Sequence, residues 1–228
     1  MTGNLWIAGM VVVLLAACGD KKMMTAEEYS KAYGIVAGQA NELRIKGVLF
    51  RFPPQYLPDD YASGRNPYPS DKIVKGQAET VTIHMNLESW FNPPPIAHSE
   101  QIGLVRIEIR NSGYEDDKNI EDYFKREKWK SVQDRPDLGL REYIRVGNDG
   151  AWGYRTYEGL DPKIKTPRGN RFIFKCSGSA GQPPDICRTA YWHPRGPHIS
   201  YYVSGQLLPR WKEVHAEVIK LIDSLIVQ

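Results

Sequence analysis

The sequence lacks the short motifs that mark the common enzyme classes. It has no Gly-x-Ser-x-Gly nucleophile elbow, no His-Glu-x-x-His zinc-peptidase motif, no Gly-x-x-x-x-Gly-Lys phosphate loop and no Gly-x-Gly-x-x-Gly dinucleotide motif. No nucleophile, base and oxyanion donor can be assembled from what remains. We therefore predict a protein that is not an enzyme, with no catalytic residues, no metal and no cofactor.

Excess charge of one sign is also lacking. Thirty Lys and Arg against 27 Asp and Glu leave a net charge of +3, and no clustered basic stretch occurs along the chain. Nucleic-acid binders normally carry a strong basic excess or a basic stripe, so nucleic acid is excluded as a partner. The 41% hydrophobic content is typical of a globular protein rather than a disordered one.

Long hydrophobic runs are absent except near the N-terminus. Residues 5–17 form an apolar and small-residue run of 13. A transmembrane helix needs about 20 such residues, whereas a signal-peptide core needs fewer. The run ends in Leu15-Ala16-Ala17-Cys18, which resembles the lipobox of bacterial lipoproteins, although no Lys or Arg precedes it. The alternative is an ordinary buried helix with an incidental Cys18.

The lipobox resemblance implies where the mature protein resides. Residues 1–17 would be a signal peptide, Cys18 would be lipidated, and residues 18–24 would form a short tether before a single domain over residues 25–228. Gly19 stands where an inner-membrane retention signal would place Asp. We therefore expect a lipid anchor in the outer membrane, with the domain on the periplasmic face, rather than in the inner membrane.

Cysteine is scarce: Cys176 and Cys187 are the other two in the chain. An even pair in an oxidising compartment predicts a disulfide bond, closing a loop rich in turn-forming residues. Two alternatives remain open at this point. One is a metal site that adds His193 and His198, whose spacing is loose, and the other is a pair of free thiols.

Alternating apolar and polar residues indicate the fold class. Residues 79–87 and 104–110 alternate with period two, which is typical of antiparallel strands with one wet face. Helical patterns occupy residues 26–41, 119–130 and 208–226, the last one amphipathic. Further strands are predicted over residues 45–52, 140–146, 152–157, 172–176, 188–193 and 199–204. The prediction is an α+β fold with a mostly antiparallel sheet. A division into two lobes near residues 112–118 is the alternative to a single domain.

Two irregular segments, residues 53–72 and 88–100, carry aromatic residues and prolines. Aromatic rings are enriched in protein interfaces, and an acidic stretch could complement a basic partner. The alternative is that the rings cover the sheet and the acidic stretch is a solvated patch. The predicted partner-binding residues are Tyr56, Tyr61, Tyr68, Trp90, Phe91, Glu115, Asp116 and Asp117.

The C-terminal pattern carries a further resemblance. Tyr201-Tyr202-Val203 is followed by Leu208-x-x-Trp211 and by Leu221-Ile222-Asp223-Ser224-Leu225, and a strand ending in Phe-Arg-Phe-Pro lies upstream. With the lipobox and the Cys-closed hairpin, this pattern resembles the lipoprotein immunity proteins that accompany type VI secretion phospholipase effectors. The resemblance implies a periplasm-facing lipoprotein that binds and neutralises a secreted toxin. The alternatives are an envelope maintenance or assembly lipoprotein that binds a peptide or glycan, and a hydrolase acting near the membrane.

Overall fold

The computed structural model describes residues 25–56, 74–87, 104–113, 117–147, 150–179 and 182–228. Within these ranges the chain forms ten strands, three α-helices and one 3-10 helix. In chain order they are α1 (Ala26–Tyr33), β1 (Asn41–Ile45), β2 (Val48–Phe52), β3 (Thr80–Asn86), β4 (Leu104–Arg110), α2 (Asp117–Arg126), β5 (Trp129–Arg135), β6 (Leu140–Arg145), β7 (Gly150–Gly159), β8 (Ile173–Gly178), β9 (Ile186–Trp192), β10 (His198–Ser204), the 3-10 helix (Gly205–Arg210) and α3 (Trp211–Leu225).

Eight of these strands form one antiparallel sheet. Their spatial order is β3-β4-β10-β9-β8-β7-β6-β5, and β1 pairs with β2 in a separate hairpin. The chain crosses from β4 to the far edge at β5 and returns through successive antiparallel neighbours until β10 lies beside β4. Strands on both sides of residues 112–118 therefore belong to the same sheet. The predicted class, a mostly antiparallel sheet with helices that include a C-terminal one, is confirmed.

The core lies between one face of the sheet and α3. Side chains alternate between the two faces of a strand, so the apolar set of each strand points to one side. On β3 and β4 the apolar residues of the predicted alternation are buried, namely Val81, Ile83, Met85, Val105, Ile107 and Ile109. The apolar stripe of α3 packs on this face, where it is buried through Trp211, Val214, Val218, Leu221, Ile222 and Leu225.

The N-terminal region differs from its prediction. The helix expected over residues 26–41 ends at Tyr33, because Gly34 adopts a left-handed conformation (φ 75°) and its N–H closes the last turn. The strand expected over residues 45–52 is the second half of a hairpin. Lys46 and Gly47 both have positive φ, as a tight two-residue turn requires. Phe50 and Phe52 of that hairpin are fully buried.

The segment after α2 also differs from its prediction. The helix expected over residues 119–130 ends at Arg126, and Trp129–Arg135 forms β5 at the edge of the sheet. Most side chains of β5 are exposed, so its sequence carries no apolar alternation that would predict a strand. The strand forms because its backbone pairs with that of β6, and not because of its side-chain pattern.

Cys176 and Cys187 form the predicted disulfide. They are directly opposite each other on β8 and β9, their Cα atoms are 4.1 Å apart, and both side chains are fully buried. Because both sulfurs are in this bond, the alternative metal site with His193 and His198 is wrong. Within the described ranges, no three His, Cys, Asp or Glu side chains lie together in a way that could hold a metal ion.

We expect the double variant Cys176→Ala/Cys187→Ala to lose about 2–3 kcal/mol of unfolding free energy, because the bond restricts a short loop in the unfolded chain. Urea unfolding of both proteins at neutral pH measures the difference. Reducing agent should destabilise the wild-type chain and leave the double variant unchanged. Equal urea midpoints for the two proteins under oxidising conditions would contradict the prediction.

Candidate functional site

The face of the sheet opposite α3, here called the outer face, carries a line of basic residues. Tyr202 on β10 is paired in register with Arg106 on β4 and with Arg188 on β9. Arg188 is in turn paired with Lys175 on β8. Residues paired in register on neighbouring strands point to the same face. Arg106, Tyr202, Arg188 and Lys175 therefore form a continuous row across four strands, which we call the cationic row.

Aromatic rings hold the cations of this row in place. The Tyr202 ring contacts two guanidinium groups. The Cζ atom of Arg106 lies 5.1 Å from the ring centre, and the Cζ atom of Arg188 lies 5.5 Å from it. The Lys175 ammonium lies 4.1 Å from the ring centre of Tyr123, which belongs to α2. These distances are those of cation–π contacts. All four residues of the row are partly exposed, although the Nε atoms of Arg106 and Arg188 are buried.

A buried carboxylate adjoins the cationic row. Glu108 on β4 is 1% exposed and accepts hydrogen bonds from Arg106, from Arg110 at 2.6 Å and from the Ser200 hydroxyl at 3.3 Å. One carboxylate thus forms ion pairs with two guanidinium groups. Breaking such a buried pair is costly, because the remaining charge would be uncompensated. Glu108 therefore fixes Arg106 and Arg110 while neutralising only one of the two positive charges.

A groove of about 760 Å³ lies at the other end of the sheet. We call it the end groove; strands β5 to β7, the segment 182–184 and the 3-10 helix form its walls. Its floor contains an ion pair in which Arg155 donates to Glu142 through Nε at 2.7 Å. The Tyr157 hydroxyl donates to the same carboxylate oxygen at 2.7 Å, and the pKa of Tyr157 is raised by burial and by this carboxylate. These mutual bonds hold Arg155, Tyr157 and Glu142 together in a buried polar network.

None of the partner-binding residues predicted from the sequence is part of the cationic row or lines the end groove in the described part of the chain. Tyr56 is 8% exposed and belongs to the core, so it presents little contact area to a partner. Asp117 is the first residue of α2. The other predicted residues, Cys18, Tyr61, Tyr68, Trp90, Phe91, Glu115 and Asp116, lie outside the described residues. Their roles stay predictions.

Sequence reasoning missed both surfaces. Arg106, Arg188 and Lys175 are far apart along the chain, and only the strand register brings them together. The available signal was weak: Arg106 and Arg110 occupy the polar positions of an alternating strand. Glu142 and Arg155 occupy core-side positions of their strands, where a charged residue is unusual.

Comparison with known proteins shows the fold. Neither a scan against protein-family models nor a search of curated proteins gives a match. Among solved structures, the chain is similar to Smlt3025, an immunity protein of the Stenotrophomonas maltophilia type IV secretion system. The TM-score is 0.54 at 14% identity, and the alignment covers 84% of this chain and 94% of that chain. Within the residues described here, no helix combines the length and apolar content that crossing a membrane requires.

Proposed function

We propose that this chain is an immunity-type protein, a periplasm-facing lipoprotein that binds a toxic protein effector and neutralises it without turnover. The observation that carries the proposal is the likeness to an immunity protein over 84% of this chain. The lipobox at Cys18 and the C-terminal sequence pattern support it independently. A stoichiometric binder also fits a site built from ordered cations and a polar groove rather than from reacting groups.

The effector is proposed to be a phospholipase. The tether between Cys18 and Thr25, the residue that caps α1, contains six residues from Gly19 to Met24, which reach at most about 20 Å when extended. A domain held this close to the outer membrane would meet an enzyme that attacks phospholipids at that surface. The sequence pattern resembles type VI immunity proteins, whereas the structural neighbour belongs to a type IV system. The proposal therefore names the class of effector and not the apparatus that delivers it.

Membrane anchoring through Cys18 gives a direct prediction. We expect Cys18→Ala to leave the membrane fraction or to accumulate as an uncleaved precursor, because the acyl chains that supply the hydrophobic anchoring would be missing. Incorporation of labelled palmitate, with fractionation of the cells, measures this. The matched control is Cys176→Ala/Cys187→Ala, which should keep its label and its membrane location. Labelled, membrane-bound Cys18→Ala protein would contradict the prediction.

The binding function is tested with the mature chain, purified in detergent with its anchor, and a purified secreted phospholipase effector of the same bacterium. Calorimetric titration is expected to give a saturable complex of one chain to one effector, together with loss of the effector's lipase activity. The absence of a complex with folded effector would overturn the proposal. Robust esterase or peptidase activity of the chain itself would support the hydrolase alternative instead.

A further inference from the structure

We propose that the cationic row binds an acidic surface of the effector. This inference rests on the proposed function and specifies the chemistry of the contact. Arg106 and Arg188 of the row, with the neighbouring Arg110, bring three guanidinium groups to the outer face, whereas Glu108 is the one described carboxylate that pairs with any of them. Over β4, β10 and β9 these arginines therefore exceed the carboxylate that neutralises them, although the whole chain is almost neutral.

Arg188 lies in the cationic row between Tyr202 and Lys175. Its guanidinium lies against the Tyr202 ring, and no described carboxylate pairs with it. It also lies directly opposite Lys175 on the neighbouring strand. A partner carboxylate placed against Arg188 would therefore form an ion pair that the described part of the chain does not supply.

The geometry suits carboxylates. A guanidinium is planar and can donate two parallel hydrogen bonds to one carboxylate, and the contact with the Tyr202 ring restricts the position of Arg188 before the partner arrives. Because neighbouring strands are about 4.8 Å apart, the row spans about 14 Å from Arg106 to Lys175. It could therefore engage several acidic side chains of one protein surface at the same time.

An acidic protein surface is favoured over anionic lipid headgroups. Lipid-binding basic patches are typically clusters of Lys and Arg beside a membrane segment or on an amphipathic helix. The cationic row instead alternates Arg with Tyr on a rigid sheet, and Arg and Tyr are the residues enriched at the energetic centres of protein interfaces. Most of its charge comes from two arginines that are held against a single ring.

The test compares two single charge removals on the same face. Arg188→Gln removes the central cation, whereas the control Arg141→Gln removes an exposed arginine that Asp134 already neutralises at 2.6 Å. Affinity for the same purified phospholipase effector is measured by biolayer interferometry at several salt concentrations. We expect Arg188→Gln to weaken binding about tenfold or more and to reduce its salt dependence. We expect Arg141→Gln to stay within about twofold, as for a charge outside the contact.

The outcomes separate this inference from the proposed function. If the wild-type chain binds the effector and Arg188→Gln binds equally well, the cationic row is not the contact, while the immunity function stands. If the wild-type chain does not bind, the proposed function itself fails. Binding to phosphatidylglycerol vesicles is measured in parallel with circular dichroism of each variant. Weaker vesicle binding by folded Arg188→Gln, with unchanged effector binding, would assign the row to lipid and overturn the proposal.

Discussion

Trp211→Ala is expected to lower the free energy of unfolding by about 3–5 kcal/mol, the range found when large aromatic core residues are truncated. Trp211 begins α3 and is 1% exposed. Its ring stacks on Phe172 with centroids 5.0 Å apart, and its indole N–H donates to the Leu138 carbonyl at 2.8 Å. The variant would lose the ring contacts, leave a cavity under α3 and free that carbonyl at once.

Urea unfolding followed by circular dichroism measures this loss, and Trp211→Phe is the matched control. Phe keeps a ring against Phe172 but cannot donate to the Leu138 carbonyl. The loss of unfolding free energy in Trp211→Phe should therefore be smaller, about 1–3 kcal/mol, because only one hydrogen bond and part of the ring are missing. A free energy of unfolding for Trp211→Ala within about 1 kcal/mol of the wild-type value would lie well below the loss found for truncated core residues. That result would mean that α3 is not docked on the sheet as described.

The second large effect is a loss of stability in acid that originates at His215. This side chain lies in the core, where its Nδ1 is 3.0 Å from the Tyr201 hydroxyl and its ring is 4.2 Å from that of Phe172. Burial lowers the pKa of His215 from 6.5 to about 4. The unfolded chain therefore binds the proton at a higher pH than the folded chain does.

The sign and size follow from proton linkage. Because the folded-state pKa of His215 is depressed, its contribution is unchanged above about pH 7 and becomes unfavourable as pH falls toward 4. A difference of about 2.5 pKa units corresponds to about 3 kcal/mol. Between pH 7 and pH 4 we therefore expect the wild-type chain to lose this amount of unfolding free energy through His215. Protonation of its paired carboxylates adds a separate loss over the same pH range.

Comparison with His215→Gln isolates that contribution. Gln can still hydrogen-bond the Tyr201 hydroxyl but does not titrate. Urea unfolding of both proteins at pH 7 and at pH 4 should show a fall that is about 3 kcal/mol larger for the wild-type chain. The same fall in both proteins would mean that His215 is not buried as a neutral ring.

Features that depend on local side-chain alternation could be predicted from the sequence. β3, β4 and the buried stripe of α3 carry complete apolar patterns, so their positions and inward faces follow from residue spacing alone. The hydrophilic β5 carries no such pattern, and its existence depends on backbone pairing with β6. The hairpin β1–β2 was missed because its two-residue turn, Lys46-Gly47, falls inside the single strand that was predicted over residues 45–52.

The candidate site depends on register, which local patterns do not determine. Arg106, Arg188 and Lys175 look like ordinary polar-face residues of three separate strands. Pairing of β4 with β10, of β10 with β9 and of β9 with β8 places them in one row. Glu115 and Asp116, predicted to attract a basic partner, lie outside the described residues, whereas the cationic row is proposed to bind an acidic one.

Protection of a sensitive bacterium tests the central claim most directly. The same phospholipase effector is directed to the periplasm, with and without co-expression of the lipidated chain, and survival is counted. The account predicts that the chain restores growth, that Arg188→Gln restores it less well at equal membrane levels, and that Arg141→Gln restores it fully. Continued killing by the effector in the presence of abundant, folded, membrane-bound wild-type chain would contradict the account.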